Sequence, residues 1–106
     1  MKVIIQISEK EKIPMGNVVG SHVAREDDVE AVEIVFLESA TIATTKIDMI
    51  KPLLENKKIT VMACKTSMEM NNIKKEDLLP TISPTPQGGF LEILRKERDG
   101  YLYIHV

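Results

Sequence analysis

Five short apolar runs, parted by intervals of helical or polar character, constrain this chain more than any other feature. They are Lys2 to Ile7, Ala31 to Leu37, Ile59 to Ala63, a weaker Thr81 to Pro84, and Tyr101 to Val106. Strands that alternate with helices predict an α/β domain, because joining two parallel strands takes a crossover long enough to be an element itself. The second and third runs are nearly continuous (Val32, Ile34, Val35, Phe36, Leu37; then Val61, Met62, Ala63), the pattern of strands covered on both faces by helices. The expectation is a three-layer domain of about five mostly parallel strands, in the common doubly wound order 2-1-3-4-5.

The intervals are less uniform. Pro14 to Gly20 predicts a short helix, weakened by Gly16 and Gly20 at about 1 kcal/mol each relative to alanine. From Ala40 to Asn56 the residues Ala43, Ile47, Ile50 and Leu54 keep helical spacing. Pro52 would cost a continuous helix a hydrogen bond, so two pieces are expected, the second capped by Asp48. Cys64 to Asn72 is a third helical segment, and Lys74 to Leu79 a short turn ended by Pro80. Gly88 to Arg98 is the clearest helix, with Phe90, Ile93, Leu94 and Glu97 on one side, Leu91 flanking and Gly100 closing it. No repeat and no linker appears, so residues 1–106 read as one domain.

Composition narrows function mainly by exclusion. A formal net charge of −2 leaves no general basic surface for nucleic acid. One cysteine cannot form an internal disulfide, and with only His22 and His105 beside it there is no zinc-like spacing, so neither a metal nor another cofactor is expected. No apolar run approaches the ~18 residues of a membrane span, and the N-terminus turns charged at Glu9-Lys10-Glu11-Lys12, too soon for a signal peptide. A soluble, cytoplasmic protein without membrane contact is expected.

The single cysteine, Cys64, falls where the third strand runs into a helix. A thiol packed in a core loses thiolate character; one at a helix N-terminus meets unpaired backbone N–H groups, which favour the anion. In an open parallel sheet, ligands gather beyond the carboxyl ends of the strands. Ser8 and Glu9, Glu38 and Ser39, Cys64 and Lys65, and Ser83 with Gly88 and Gly89 should all arrive there. The expected order puts Cys64 between Ser8 and Ser83, and Glu38 two strand spacings off, about 10 Å. Lys65 and the amides of Thr66 and Ser67 would favour a thiolate at Cys64, with Glu38 opposing weakly from a distance.

Other constellations carry less. Gln87-Gly88-Gly89 opens a helix but is neither a dinucleotide fingerprint nor a P-loop. His22 reads as a surface residue and His105 as structural. Met62, Met68 and Met70 read as packing near Cys64.

The stretch Val61 to Ile73, and again Asp77-Leu78-Leu79-Pro80 through Gly88-Gly89 to Gly100-Tyr101-Leu102-Tyr103-Ile104, resembles the DsrE/DsrF-like family of small sulfur-relay proteins. The resemblance covers roughly the C-terminal half, and Met15-Gly16-Asn17-Val18 is similar to the family's first helix. It implies a flavodoxin-like sheet, a homo-oligomer (trimer or hexamer), and a cysteine at the position of Cys64 that carries sulfane sulfur as a persulfide between donor and acceptor proteins. Where many relatives have a Gly-Pro step after the second strand, this chain has Glu38-Ser39-Ala40. Two other functions compete: a non-catalytic small-ligand or protein-binding module built on the strand-edge cleft, and a thiol peroxidase, disfavoured because no resolving cysteine and no arginine lie near Cys64.

Overall fold

The computed structural model describes residues 1–106. Five parallel strands form one sheet: β1 (Lys2–Ile7), β2 (Ala31–Phe36), β3 (Ile59–Ala63), the two-residue β4 (Ser83–Pro84) and β5 (Leu102–His105). Helices α1 (Ile13–Ala24), α2 (Ile47–Leu54), α3 (Lys65–Met70) and α4 (Gly89–Arg98) connect them, with 3-10 turns at Lys10–Lys12, Glu38–Thr45 and Lys75–Asp77. This is the expected three-layer α/β architecture, flavodoxin-like in kind.

The order across the sheet is β4-β3-β2-β1-β5, in place of 2-1-3-4-5. The physical reason lies in the strands' edges. An edge position for β2 would leave a row of N–H and C=O groups unpaired along a run in which Val32 to Phe36 are all buried. Placed at the centre, β2 is paired on both sides, and the edges fall to the shortest strand, β4, and to the largely exposed β5.

Strand order also sets the layers. The chain steps from β1 to β4 in one direction, with right-handed crossovers that put the intervening helices on one face; it then reverses to reach β5, which sends α4 to the other. The first face buries Val3, Ile5, Ile7, Val32, Ile34, Phe36, Val61 and Ala63 under Ile13, Ile50, Leu53 and Met68. Ile4, Val35, Leu37 and Cys64 turn to the second face, where Ile93 of α4 packs on them with Met62 and Tyr101 alongside.

Three helices differ from expectation. The first is a full twelve residues: Gly16 and Gly20 are buried, and a Cβ at Gly20 would stand 2.8 Å from Ile34 Cδ1 and 2.9 Å from Leu53 Cδ2. Close approach of α1 to the sheet, rather than local propensity, selects these glycines. In α2 the N-cap is Lys46 and Asp48 lies inside the first turn, and Ile50 leaves helical geometry (φ −138°, ψ 20°) two residues before Pro52. In α4 the buried positions are Gly89, Glu92 and Ile93, whereas Phe90, Leu91 and Leu94 face outward. The rotation of that helix follows from the close fit of its first residue, Gly89, against the sheet.

Candidate functional site

Cys64 directly follows β3 and is the N-cap of α3. Its backbone N–H donates to the Phe36 carbonyl (2.9 Å), tying it to the end of β2. Its Sγ accepts two backbone N–H groups: that of Gly89 at 3.1 Å and that of Ser67 at 3.4 Å. A thiol is a weak acceptor, so two donors aimed at one sulfur suit an anionic sulfur better than a neutral one. The sulfur is also covered, for Cys64 is only 3% exposed.

Gly89 explains the cover. A Cβ there would lie 2.7 Å from Leu37 Cδ2 and 3.1 Å from Cys64 Cβ, so only glycine lets the first turn of α4 settle onto the thiol. Gly88 lies beside Thr66, whose Oγ1 would be 3.3 Å from an added Cβ.

Ser67 binds from both its backbone and its side chain. While its N–H reaches Cys64, its Oγ accepts the Glu38 N–H at 2.7 Å. Glu38 has φ 50°, in the left-handed region that costs a non-glycine residue energy, and Asn71 Nδ2 clamps it further by donating to its carbonyl at 3.0 Å. The central placement of β2 corrects the expected spacing: Glu38 stands one strand from Cys64, linked through Ser67, and Ser8 is the residue two strands away.

The remaining expected site residues take other roles. Lys65 and Thr66 are exposed, and the Lys65 N–H donates to Thr85 Oγ1 (3.1 Å) rather than to the sulfur. Thr85, buried and unnoticed in the sequence, returns that hydroxyl to the Gln87 carbonyl (2.7 Å) and fixes the loop that leads to Gly88. Ser83 pairs in register with Met62 and is exposed, one residue short of the sheet edge. Ser39 is exposed and accepts the Lys10 N–H (2.9 Å). No three His, Cys, Asp or Glu side chains group so as to hold a metal ion.

A second feature lies where the winding reverses, between β1 and β5. In an open α/β sheet this switch point is where the strand ends part and leave a crevice. Here it is a cleft of about 520 Å³ lined by Gln6, Ser8, Glu9, Glu38, Phe90, Tyr103 and His105, among others. Its floor is a fixed hydrogen-bond chain: the Tyr103 hydroxyl donates to Gln6 Oε1 (2.5 Å) and Gln6 Nε2 to Ser8 Oγ (2.8 Å). Burial, with the nearby Glu97 charge, raises the Tyr103 phenol above its ordinary value, so it stays protonated as a donor. Ser8, Glu38, Phe90 and His105 therefore meet in this cleft, and Cys64 lies apart from it, beneath Gly89. The order β4-β3-β2-β1-β5 locates the cleft, which is why sequence spacing alone gave no sign of Gln6, Tyr103 or His105 as a group.

Neither a protein-family model nor a curated protein matches this sequence. Solved structures do. The protein of unknown function MTH1491 from Methanobacterium thermoautotrophicum superposes with a TM-score of 0.83 at 17% identity, over 99% of this chain and 98% of that one. The ychN protein of E. coli gives 0.69 at 12% identity, over 100% and 99%. A conserved protein of unknown function from Bacteroides thetaiotaomicron, BT1422, gives 0.70 at 12%, over 99% and 94%. The likeness establishes the fold and nothing more. None of the three has a stated function, so a role for this protein has to come from its own residues.

Proposed function

We propose that this protein is a cytoplasmic sulfur carrier, in the manner of the DsrE/DsrF-like proteins it resembles, holding sulfane sulfur on Cys64. The observation that carries the reading is the pair of backbone N–H groups, from Ser67 and Gly89, that converge on Cys64 Sγ. They supply fixed partial positive charge where a thiolate needs it. The Cys64 thiolate attacks the outer sulfur of a donor persulfide; a new S–S bond forms on Cys64, the donor's S–S bond breaks, and the donor leaves as a thiolate. An acceptor thiolate then takes the same sulfur and returns Cys64 to its anion, so no electrons are gained or lost overall. Because the sulfur is covered, each transfer begins with the Gly88–Gly89 turn lifting.

Incubation with a small-molecule persulfide donor followed by intact-mass measurement is the test. Wild type should gain one sulfur atom and Cys64→Ser none; a wild type that gains nothing from any donor overturns the carrier role.

The cleft between β1 and β5 favours a second reading, a small-ligand or partner-binding module without covalent chemistry. It predicts a Cys64 that resists alkylation in the folded protein. The homo-oligomer implied by the family resemblance has a candidate surface in Phe90, Leu91 and Leu94 on α4 and Leu102 on β5, all exposed.

A further inference from the structure

Beneath α4 lies a group of charges that neither reading uses. Glu33 sits in mid-strand on β2, between Ile4 of β1 and Thr60 of β3, and Glu92 lies one helical turn beyond Gly89; each is only 7% exposed. Lys96, one turn further, brings its Nζ to 3.6 Å from Glu33 Oε1. Glu33 Oε2 is buried and receives no donor. Glu92 lies on the same buried stripe of α4 as the Lys96 that reaches Glu33, and its carboxyl is an acceptor like that of Glu33 unless one of the two is protonated.

We propose that Glu33 and Glu92 share one proton, and that this carboxyl pair is the latch that seats α4 over Cys64 and loosens as pH rises. One shared proton gives Glu33 Oε2 its missing partner and leaves the pair a single negative charge, which Lys96 matches. The latch and the thiol are on one helix stripe: Gly89, Glu92, Ile93 and Lys96 follow helical spacing, so whatever holds Glu92 down also holds the Gly89 N–H on the sulfur. This stripe, with Gly89 pressed on Leu37, fixes the rotation that leaves Phe90 and Leu94 outside.

The electrostatics agree with the geometry. Burial first, then the hydrogen bond and charge of Glu92, push the Glu33 carboxyl up to about 8, against the pull of Lys96. Burial alone would lower Lys96, but Glu33, Tyr101 and Glu92 outweigh it and raise it, so the ammonium stays charged throughout. The other groups facing the cluster are the Tyr101 ring, 5.1 Å from Lys96 Nζ, and Lys2 of β1, 5.9 Å from that ring; β3 offers only the uncharged Thr60. With α4 lifted, Glu33 meets water and returns toward its ordinary 4.5. Between 4.5 and about 8 the seated helix therefore keeps a proton that the lifted one loses. Opening rises with pH across that window, by up to about tenfold per unit, and levels off above it. The purpose of the latch rests on the carrier reading; its test does not.

Hydrogen exchange of the α4 amides in the full chain, between about pH 5 and pH 8 and corrected for the intrinsic rate, reads the opening directly. Two results are expected: protection in α4 below that of β1 and β2, and a fall of up to about tenfold per pH unit. Glu33→Gln and Glu92→Gln each replace the shared proton with an amide donor and should flatten the slope. The latch is overturned if wild-type α4 shows no slope, if it exchanges only together with the core strands, or if every folded amide variant keeps the wild-type slope. Should neither variant fold, the wild-type profile decides alone. Sulfur loading is measured separately by mass, so a sloping α4 with an unloadable Cys64 would sink the carrier and leave the latch standing.

Discussion

Ser67 and Gly89 are the residues on which the Cys64 environment depends, and each fails in its own way when altered. Removing the Ser67 hydroxyl leaves the Glu38 N–H without its 2.7 Å acceptor at a residue already held at φ 50°. At this part-buried position the lost hydrogen bond costs about 0.5–1.5 kcal/mol. Ser67→Ala should therefore lower the unfolding free energy by that amount, read as a lower urea midpoint with an unchanged m-value. Gly89→Ala drives a methyl group into Leu37 and Cys64, an overpacking that costs about 1–3 kcal/mol and displaces the N–H from Sγ. The expected outcome is a lower melting temperature together with faster alkylation of the thiol in the folded protein. A variant that lost stability yet kept a protected thiol would show that the first turn of α4 is not its cover. Of this site, Cys64 at a strand-to-helix junction was legible in the sequence, since both elements announce themselves by spacing. Thr85 and Asn71 were not, because nothing local marks a hydroxyl or amide that pairs with a backbone group 20 or 33 residues away.

At the level of single elements, α1 sets two magnitudes against each other. Helix propensity favours alanine over glycine by about 1 kcal/mol, but a Cβ at Gly20 lands within 2.9 Å of both Ile34 and Leu53. Overpacking of a dense core costs about 1–3 kcal/mol, so Gly20→Ala should destabilise by roughly 1 kcal/mol net, measured by denaturant unfolding. A gain in stability would mean that α1 has slack against the sheet. The same contest explains why sequence spacing made α1 a weak helix: the glycines count against it locally and are repaid only when the helix meets β1 and β2. In α4 the apolar residues Phe90 and Leu94 keep helical spacing and read as a buried side, yet the helix buries Gly89, Glu92 and Ile93. Its rotation answers to Glu33 on β2 and to Leu37 just beyond that strand.

For the whole molecule, the buried Glu33 makes stability depend on pH. The folded state holds its proton up to about 8 while an unfolded chain releases it near 4.5, so stability falls as pH rises through that interval and is flat above it. The total amounts to a few kcal/mol. Urea midpoints across the window should decline in wild type and stay level in Glu33→Gln; a level wild-type curve would show that Glu33 is ionised in the fold. The apolar flank of α4 gives a second prediction at this scale. If copies associate through it, Leu94→Glu should shift the sedimentation coefficient to that of a monomer without unfolding the chain; unchanged sedimentation would move the interface elsewhere. By itself the sequence determined that this chain builds five strands with helices between them, and that a cysteine stands at the end of the third. Those properties reside in hydrophobic period and turn residues a few positions apart. The tertiary structure alone decided that β2 is central, that the switch point opens between β1 and β5, that Glu38 reaches Cys64 through Ser67, and that Glu33 is buried beneath the α4 stripe that carries Glu92 and Lys96. Each depends on which strand edges must be paired and which groups burial brings together, and no short window of residues contains that information.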